Sequence, residues 1–203
     1  MDKGTKNRQE DFTSRKGTRK VHVYYTYVDR RCETPRERVR RISNTGGRLL
    51  NDAVSRLYRL DEGELSREKG EHGKPYFRDH PEICFNISHS GDLVMCAVSD
   101  YEIGIDVQEK KQIHKDRVAK RILTSEEFEK YLAAPDRSEL FFRIWVMKEA
   151  RLKWTGEGIT RELRGMPMDG WHQFIHADRD YAACVWAQIP LKVIVTQVAY
   201  KNS

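Results

Sequence analysis

Cysteine is scarce and dispersed in this chain. The sequence has four cysteines among 203 residues, and no two of them form a CxxC pair. Three of them lie in apolar, strand-like runs, which predicts buried thiols in a reducing compartment. This distribution argues against a zinc site or a disulfide framework. The four are Cys32, Cys84, Cys96 and Cys184.

Long apolar stretches are also missing. No run approaches the ~20 residues that a membrane-spanning helix needs, and the first residues lack the apolar segment of a signal peptide. We therefore expect a cytoplasmic protein without a membrane partner. Its length of 203 residues is enough to bury a core as one domain or as two small lobes.

Several familiar catalytic and nucleotide-binding motifs do not occur. The sequence contains no Walker A motif and no G-x-G-x-x-G after a predicted strand, so ordinary nucleotide-binding folds are not indicated. Ser88 and His89 are adjacent but are not part of a G-x-S-x-G elbow, which argues against a serine hydrolase. A strand-end turn that offers hydroxyls, backbone N–H groups and an imidazole suits a bound anion better.

Positive charge is concentrated at the start of the chain. The net charge is +6, and residues 1–20 hold seven Lys/Arg against three Asp/Glu, so they contribute +4 and the rest +2. These residues include one large apolar side chain, Phe12, and are predicted to be a disordered, solubilising tail. The arginines between 30 and 48 lack interleaved aromatic residues, which argues against a stacking platform for nucleic acid. A solvated helix face is the favoured interpretation, with one or two arginines left as phosphate ligands.

The hydrophobic pattern predicts an α+β fold. Thr124 and Glu127 have the spacing of a capping box, which predicts the start of a helix. Separately, the residue pattern of positions 92–107 recurs 88 positions later, at 180–195. This repeat favours two pseudo-related lobes with antiparallel sheets, residues 21–100 and 101–203, and a ligand in the cleft between them. The predicted elements are strands at 21–28, 83–87 and 93–98, helices around 50–60, 124–132 and 138–154, and three antiparallel strands after 171.

Two acidic residues stand where the pattern predicts core. Strand alternation places Asp106 and Gln108 on the face opposite Ile105. Glu149 lies on an apolar helical face that it shares with Trp145. A buried carboxylate is costly unless a cation or hydrogen-bond donors compensate it. Carboxylate and amide oxygens together suggest Mg²⁺ held partly by substrate phosphates.

Two lysines flank Glu149 and leave two readings open. Lys148 and Lys153 either extend along a helix edge towards solvent, or reach the phosphates that the metal binds. Pattern alone does not decide between these readings.

Four segments together resemble the 4′-phosphopantetheinyl transferases, in the monomeric, two-lobed type called Sfp. The resemblance covers about residues 50–160 in the correct order and spacing. The segments are GKP at 73–75, FNISHSG at 85–91, GIDVQ at 104–108 and WVMKEARLKWTGEG at 145–158.

The resemblance implies an enzyme that moves 4′-phosphopantetheine from coenzyme A to a serine of an acyl or peptidyl carrier protein, releasing 3′,5′-ADP. It implies a monomer without nucleic-acid or membrane partners. The carrier would approach beside the segment after Gly156 and the 124–135 helix. The implied catalytic residues are Glu149, which would take the serine proton, His89 and Lys153. The implied Mg²⁺ ligands are Asp106, Gln108 and Glu149, and the implied coenzyme A ligands are Lys74, Pro75, Ser88, His89 and Lys153, with Arg36 and Arg41 for the 3′-phosphate.

The metal-binding segment departs from the family pattern at one position, and two functions other than phosphopantetheinyl transfer remain open. Many relatives have Glu where this chain has Gln108, so the predicted site has one anionic ligand fewer. A non-catalytic module that binds coenzyme A or a nucleotide would not need Asp106 and Glu149 together. A basic nucleic-acid-binding protein would explain the tail but not the buried acids, and steep salt dependence on DNA would favour it.

Overall fold

The computed structural model describes residues 18–29, 33–111, 115–157 and 163–200. It is an α+β protein, as predicted, with strands on both sides of the helical segment. The elements, in chain order, are β1 (Lys20–Tyr27), α1 (Pro35–Tyr58), a 3-10 turn (Glu62–Glu64), β2 (Arg67–Lys69), β3 (Pro75–Phe77), β4 (Cys84–Ser90), β5 (Leu93–Ser99), β6 (Ile103–Glu109), α2 (Lys115–Ile122), α3 (Ser125–Ala133), α4 (Arg137–Thr155), β7 (Trp171–Phe174), β8 (Tyr181–Ala187) and β9 (Lys192–Gln197).

The first sheet has the strand order β4-β5-β1-β9. Every residue of β5 is buried, because β5 is an inner strand and its run LVMCAVS supplies apolar side chains to both faces. β5 pairs antiparallel with both neighbours, β1 and β4.

The second sheet has the order β6-β8-β7, and both of its pairings are antiparallel. Its plan repeats that of the first sheet. In each, a strand is followed by helix and then by a hairpin (β4–β5 or β7–β8) whose second strand pairs with the first strand. The internal repeat seen in the sequence aligns β5 with β8, which are equivalent in this plan.

The C-terminal strand departs from the predicted arrangement. Three antiparallel strands were expected after residue 171, but β9 leaves β7 and β8 and pairs in parallel with β1, with Val21 opposite Val193. Its first amide, that of Lys192, donates to the carbonyl of Arg19. The prediction was wrong here because alternation identifies a strand but not its partner.

Helix boundaries follow their capping residues. Thr34 closes a capping box with Glu37 at the start of α1, which therefore begins well before the predicted residue 50. The arginines of its first turns lie largely on the exposed side, so they interrupt no apolar face. The predicted capping box at Thr124 is confirmed for α3. Gly156, with φ of 74°, ends α4 as predicted.

A core between the sheets holds them together. Val23 and Met95 of the first sheet belong to the same buried apolar cluster as Ile105 and Val185 of the second. Cys96 and Cys184 are buried free thiols and Cys84 is a half-buried one, as predicted, while Cys32 lies outside the described residues. Among the described helices, none is both long and apolar enough to cross a membrane.

Candidate active site

A glycine allows α4 to lie directly against β6. A Cβ atom at Gly104 would stand 2.0 Å from the carbonyl oxygen of Ala150 and 2.5 Å from the amide nitrogen of Trp154. Both neighbours are helix backbone, which cannot move aside as a side chain would. The close approach brings Glu149 and Lys153, on the facing side of α4, towards Asp106, two residues after this glycine.

Asp106 is the centre of a buried polar cluster. It is 6% exposed, and its Oδ1 atom accepts from the Lys153 ammonium at 2.6 Å and from the Ser88 hydroxyl at 2.9 Å. Lys153 also donates to Ser88 Oγ at 2.7 Å. β4, β6 and α4 thus each contribute one member of the cluster. Lys153 supplies the cation that a buried carboxylate needs.

Glu149 is close enough to Asp106 to sense its charge. Burial raises the pKa of the Glu149 carboxyl, and the negative charge of Asp106 raises it further, while Lys153 opposes both effects. Two carboxylates held near each other favour a proton or a cation between them. Their placement supports the prediction that the two acids act together.

His89 lies at the rim of the same cluster. Burial lowers the pKa of its imidazole, and Lys153 lowers it further, with a smaller opposing effect from Asp106. The ring is therefore neutral at pH 7 and is available as a hydrogen-bond donor or acceptor. His89 follows Ser88 within β4, not in the turn predicted from the sequence, and it is exposed.

The donor set at Asp106 and Glu149 fits a weakly held Mg²⁺. Within the described residues, no three His, Cys, Asp or Glu side chains group as a metal site. Mg²⁺ does not require such a group, because it commonly binds one or two carboxylates and takes its other ligands from phosphates and water. Gln108, half-buried two residues after Asp106 on β6, can add an amide oxygen.

Lys74 lines a cavity near the start of β6 and the end of α4. Its ammonium donates to Glu102 Oε2 at 2.7 Å, to the carbonyl of Ile103 at 3.2 Å and to that of Trp154 at 3.0 Å. Lys74 and Pro75 line a cavity of about 470 Å³ that extends to Gly156 at the end of α4. These contacts join the β3 segment to the segments that begin β6 and end α4.

Lys148 follows neither of the two readings that the sequence left open. It is 1% exposed, and its ammonium donates to the carbonyl of Ile122 at 3.0 Å, to Glu127 Oε2 at 2.8 Å and to the carbonyl of Leu163 at 3.2 Å. The side chain thus joins the end of α2, the capping box of α3 and the chain beyond α4. Its role in the structure is to hold α2, α3 and α4 together.

The two arginines suggested for the 3′-phosphate lie on α1. Arg36 is exposed in the first turn, and Arg41 Nε donates to Glu33 Oε2 at 2.9 Å. In the described part of the chain, no hydrogen bond or ion pair connects either of them with Asp106 or Lys153. The α1 residue that reaches the β4–β5 turn is Arg38, which donates to the carbonyl of Gly91 at 2.9 Å. Sequence reasoning missed it because one arginine among many carries no distinguishing signal.

Sequence reasoning also passed over two polar residues that flank Ser88. The side chain of Asn86 accepts from the amide of Ile105 at 3.0 Å, and Ser90 Oγ accepts from the amide of Glu109 at 2.9 Å. The signal that points to them is the period of two in Asn86, Ser88 and Ser90, which places all three on one face of β4.

Comparison with known proteins finds similarity to one family. Residues 102–189 match the model of the 4′-phosphopantetheinyl transferase superfamily. The chain is 35% identical over 135 residues to 4′-phosphopantetheinyl transferase Sfp of Bacillus subtilis (strain 168), a match that covers 66% of this chain and 58% of that relative. It is 40% identical over 114 residues to 4′-phosphopantetheinyl transferase psf-1 of Bacillus pumilus, covering 55% and 48%. Against 4′-phosphopantetheinyl transferase HetI of Nostoc sp. (strain PCC 7120 / SAG 25.82 / UTEX 2576), the identity is 33% over 129 residues, covering 60% and 54%.

These matches span about half of the length of the curated relatives. The family model and the relatives agree with the resemblance drawn from the GKP, FNISHSG, GIDVQ and WVMKEA segments. The matched region contains Asp106, Glu149 and Lys153, which the structure brings together or close to one another. The chain is similar to the 4′-phosphopantetheinyl transferase superfamily over residues 102–189, and to Sfp-type members of that superfamily.

Proposed function

We propose that this protein transfers 4′-phosphopantetheine from coenzyme A to a serine of an acyl or peptidyl carrier protein in a Mg²⁺-dependent reaction. The observation that carries the proposal is the convergence of Asp106, Glu149 and Lys153 where β6 meets α4. A site of this kind concentrates charges of both signs around one small volume, as the transfer of a phosphoryl group requires. The relatives named above are 4′-phosphopantetheinyl transferases, which supports the assignment.

The proposed reaction exchanges one P–O bond for another. The carrier serine oxygen attacks the phosphorus that bears the pantetheine arm, and the bond from that phosphorus to the bridging oxygen breaks. The leaving group is 3′,5′-ADP, which keeps the bridging oxygen and its electron pair. The serine proton is released to a base.

Glu149 is proposed as that base. Its half-buried carboxyl has a raised pKa because of burial and the neighbouring Asp106. A carboxylate with a raised pKa accepts a proton more readily near neutral pH than an exposed one does. Its position on α4, one turn before Lys153, places the proposed base beside the proposed phosphate ligand.

Lys153, His89 and Lys74 are proposed as ligands of the coenzyme A phosphates, together with Ser88 and Pro75. Lys153 now donates to Asp106 and Ser88, and a phosphate oxygen at this position would give its ammonium a further acceptor. His89, neutral at the rim, would donate one hydrogen bond. Arg36 and Arg41 are retained as proposed ligands of the 3′-phosphate.

Asp106 and Glu149, with Gln108, would hold the metal ion. When bound, Mg²⁺ would neutralise negative charge on the diphosphate and on the leaving oxygens. The Lys153 ammonium and the Ser88 hydroxyl both donate to Oδ1 of Asp106 and orient its carboxylate. This hydrogen bonding supports the proposal that Asp106 serves as a metal ligand.

The proposal includes a monomeric, cytoplasmic enzyme with no nucleic-acid or membrane partner. Buried free thiols at Cys96 and Cys184 suit a reducing compartment. Light scattering after size exclusion checks the monomer. Part of the segment proposed to meet the carrier, residues 158–162, lies outside the described residues.

The direct test is intact mass spectrometry of an apo carrier protein incubated with this protein, coenzyme A and Mg²⁺. We expect the carrier mass to rise by one phosphopantetheine group. The matched control is Glu149→Gln, which removes the proposed base and a metal ligand while keeping the size of the side chain. An unmodified carrier across several peptidyl and acyl carriers would contradict the proposal.

A further inference from the structure

The two sheets are joined along one line by side chains rather than by backbone pairing. Three alternate residues of β4 each accept a hydrogen bond from a backbone amide of β6, also at alternate positions. The bonds run from Ile105, Val107 and Glu109 to Asn86, Ser88 and Ser90, and they measure 3.0, 3.2 and 2.9 Å. We call these three bonds the side-chain ladder.

The ladder satisfies amides that otherwise lack an acceptor. β6 is an outer strand of the second sheet, with β8 on one side, so among the described strands none pairs through its backbone with the other edge. Ile105 and Val107 are buried, and a buried amide without an acceptor costs about 1–3 kcal/mol. The side chains of β4 supply the acceptors, and the period of two in both strands fixes which amide meets which side chain.

The ladder sets the register of two strands that carry different parts of the proposed site. β4 holds His89, a proposed phosphate ligand, and β6 holds Asp106, a proposed metal ligand. The middle bond belongs to Ser88, which itself contacts Asp106 at 2.9 Å. The two outer bonds, at Asn86 and Ser90, lie on either side of this contact and go to backbone alone.

We propose that Asn86 is a positioning residue, assisted by Ser90, that keeps β4 and β6 in the register in which phosphate and metal ion bind cooperatively. The inference rests on the proposed function, because it takes His89 and Asp106 as ligands of one bound diphosphate and its cation. Asn86 is 7% exposed and lies two residues before Ser88. It therefore acts through the strand that it holds, without touching the reacting groups.

The predicted effect of losing Asn86 is a loss of coupling. A cation that binds Asp106 and also a phosphate held by β4 raises the affinity for coenzyme A, and the size of this increase measures the coupling. If the register loosens, β4 keeps its phosphate ligand and β6 keeps its metal ligand, but the two ligands no longer stand at the right separation to bind the same diphosphate and cation. The affinity for coenzyme A in the absence of Mg²⁺ then stays nearly constant, while the increase in this affinity caused by Mg²⁺ becomes smaller.

Titration calorimetry with coenzyme A, with and without Mg²⁺, tests this for the whole chain. We expect wild type to bind more tightly with Mg²⁺, and Asn86→Ala to reduce that gain by about three- to tenfold, as the loss of one buried hydrogen bond allows. Ser90→Ala is expected to reduce it less, and Ser90→Thr, which keeps the hydroxyl, to restore it. The matched control is Asn51→Ala. Asn51 bonds to Glu62 and Arg67, away from β4 and β6, so its loss leaves the gain unchanged.

Three results would overturn the proposal. One is an unchanged Mg²⁺ gain in folded Asn86→Ala, and another is an equal loss of affinity with and without Mg²⁺, which is what a merely structural residue gives. The third is a wild-type protein whose affinity for coenzyme A does not respond to Mg²⁺. If Asn86→Ala does not fold, the half-buried Ser90 and its two variants decide the matter. Failure of the proposed function is seen separately, as an unmodified carrier with wild-type protein.

Discussion

At the residue scale, the site depends on how Lys153 and Ser88 share one carboxylate oxygen. Both donate to Asp106 Oδ1, so this carboxylate is compensated without any bound ligand. Glu149 has no such ion pair within hydrogen-bonding distance among the described residues, and burial and Asp106 raise the pKa of its carboxyl. The two acids are therefore unequal, because Asp106 is paired with a cation whereas the pKa of the Glu149 carboxyl is raised.

Gln108 provides a test of the metal site through charge. Gln108→Glu adds a third carboxylate beside Asp106, and hard divalent cations bind more tightly as anionic oxygen ligands are added. We expect a lower, or at least not a higher, Mg²⁺ concentration for half-maximal carrier modification. Glu149→Gln is expected to nearly abolish transfer. A Mg²⁺ titration of both variants decides this. The metal-site proposal is wrong if Glu149→Gln keeps wild-type rates or Gln108→Glu needs much more metal.

The predicted phosphate ligands can be tested by coenzyme A binding. His89→Ala and Lys74→Ala should each weaken binding by roughly 10- to 100-fold, since charge-assisted hydrogen bonds contribute about 1.5–3 kcal/mol. Calorimetry measures this, and urea unfolding should show a smaller effect on stability. The exposed Lys69, on β2, provides Lys69→Ala as a control with normal affinity. Unchanged affinity in both site variants would return His89 and Lys74 to a structural role.

Lys148 provides a test of stability rather than of binding. Lys148→Met keeps the length of the buried chain but removes the donor from three acceptors. We expect a loss of about 1–3 kcal/mol in the free energy of unfolding, measured in urea. Lys130→Met breaks the exposed ion pair with Glu126 and should destabilise the protein clearly less, because exposed ion pairs contribute little to stability. Equal effects of the two substitutions would show that burial of Lys148 adds nothing to stability.

At the scale of elements, the distance between α4 and β6 decides whether a site exists. Gly104 allows this distance, because any side chain there would overlap the helix backbone at Ala150. The helix carries Glu149 and Lys153, and the strand carries Asp106. A small increase in their separation would therefore disconnect the acids from each other and from the lysine.

Gly104→Ala should thus impair transfer strongly while adding a single methyl group. We expect carrier modification to fall by at least about tenfold, because a displacement of catalytic groups by about 1 Å can cost up to about a hundredfold in rate. Mass spectrometry of the carrier measures the rate, and circular dichroism checks the fold. Gly63→Ala is the control, because a Cβ there meets no atom within 4 Å. Near-normal transfer by Gly104→Ala would show that α4 tolerates the displacement.

At the scale of the whole molecule, the two ends of the described chain meet in one sheet. β9, near the C-terminus, pairs with β1, near the N-terminus, and Tyr200 donates to Asp52 of α1 at 2.6 Å. The second half of the sequence thus completes the sheet formed by the first. The core shared by the two sheets unites them further.

The basic tail should be dispensable for catalysis. The predicted tail, residues 1–20, is rich in charge and has only one large apolar side chain, and such ends usually tolerate removal. Deletion up to residue 17 keeps Arg19, whose carbonyl accepts from Lys192, and all of β1. We expect transfer rates within about twofold of wild type in the carrier assay. A loss of more than about tenfold would show that the tail takes part in the reaction.

The sequence by itself determined the identity of the elements and of most candidate site residues. Alternation and capping boxes depend on neighbours within a few positions, so β5, β6, α3 and α4 were predictable, as was the inward position of Asp106. The family segments were recognisable for the same reason, because their spacing is local. Gln108 and the arginines of α1 show the limit of prediction from sequence, because the type of a residue does not determine which group its side chain contacts in the folded protein.

The tertiary structure alone decided which distant groups meet. The parallel pairing of β9 with β1, the three acceptors of Lys148 and the ladder from Asn86 to Ser90 all join residues that are far apart in sequence. Such contacts depend on how the sheets and helices pack, and many sequences satisfy the same local pattern with different partners. Lys148 and Lys153 lie five residues apart on one helix, yet packing sends one to the α2–α3 junction and the other to Asp106.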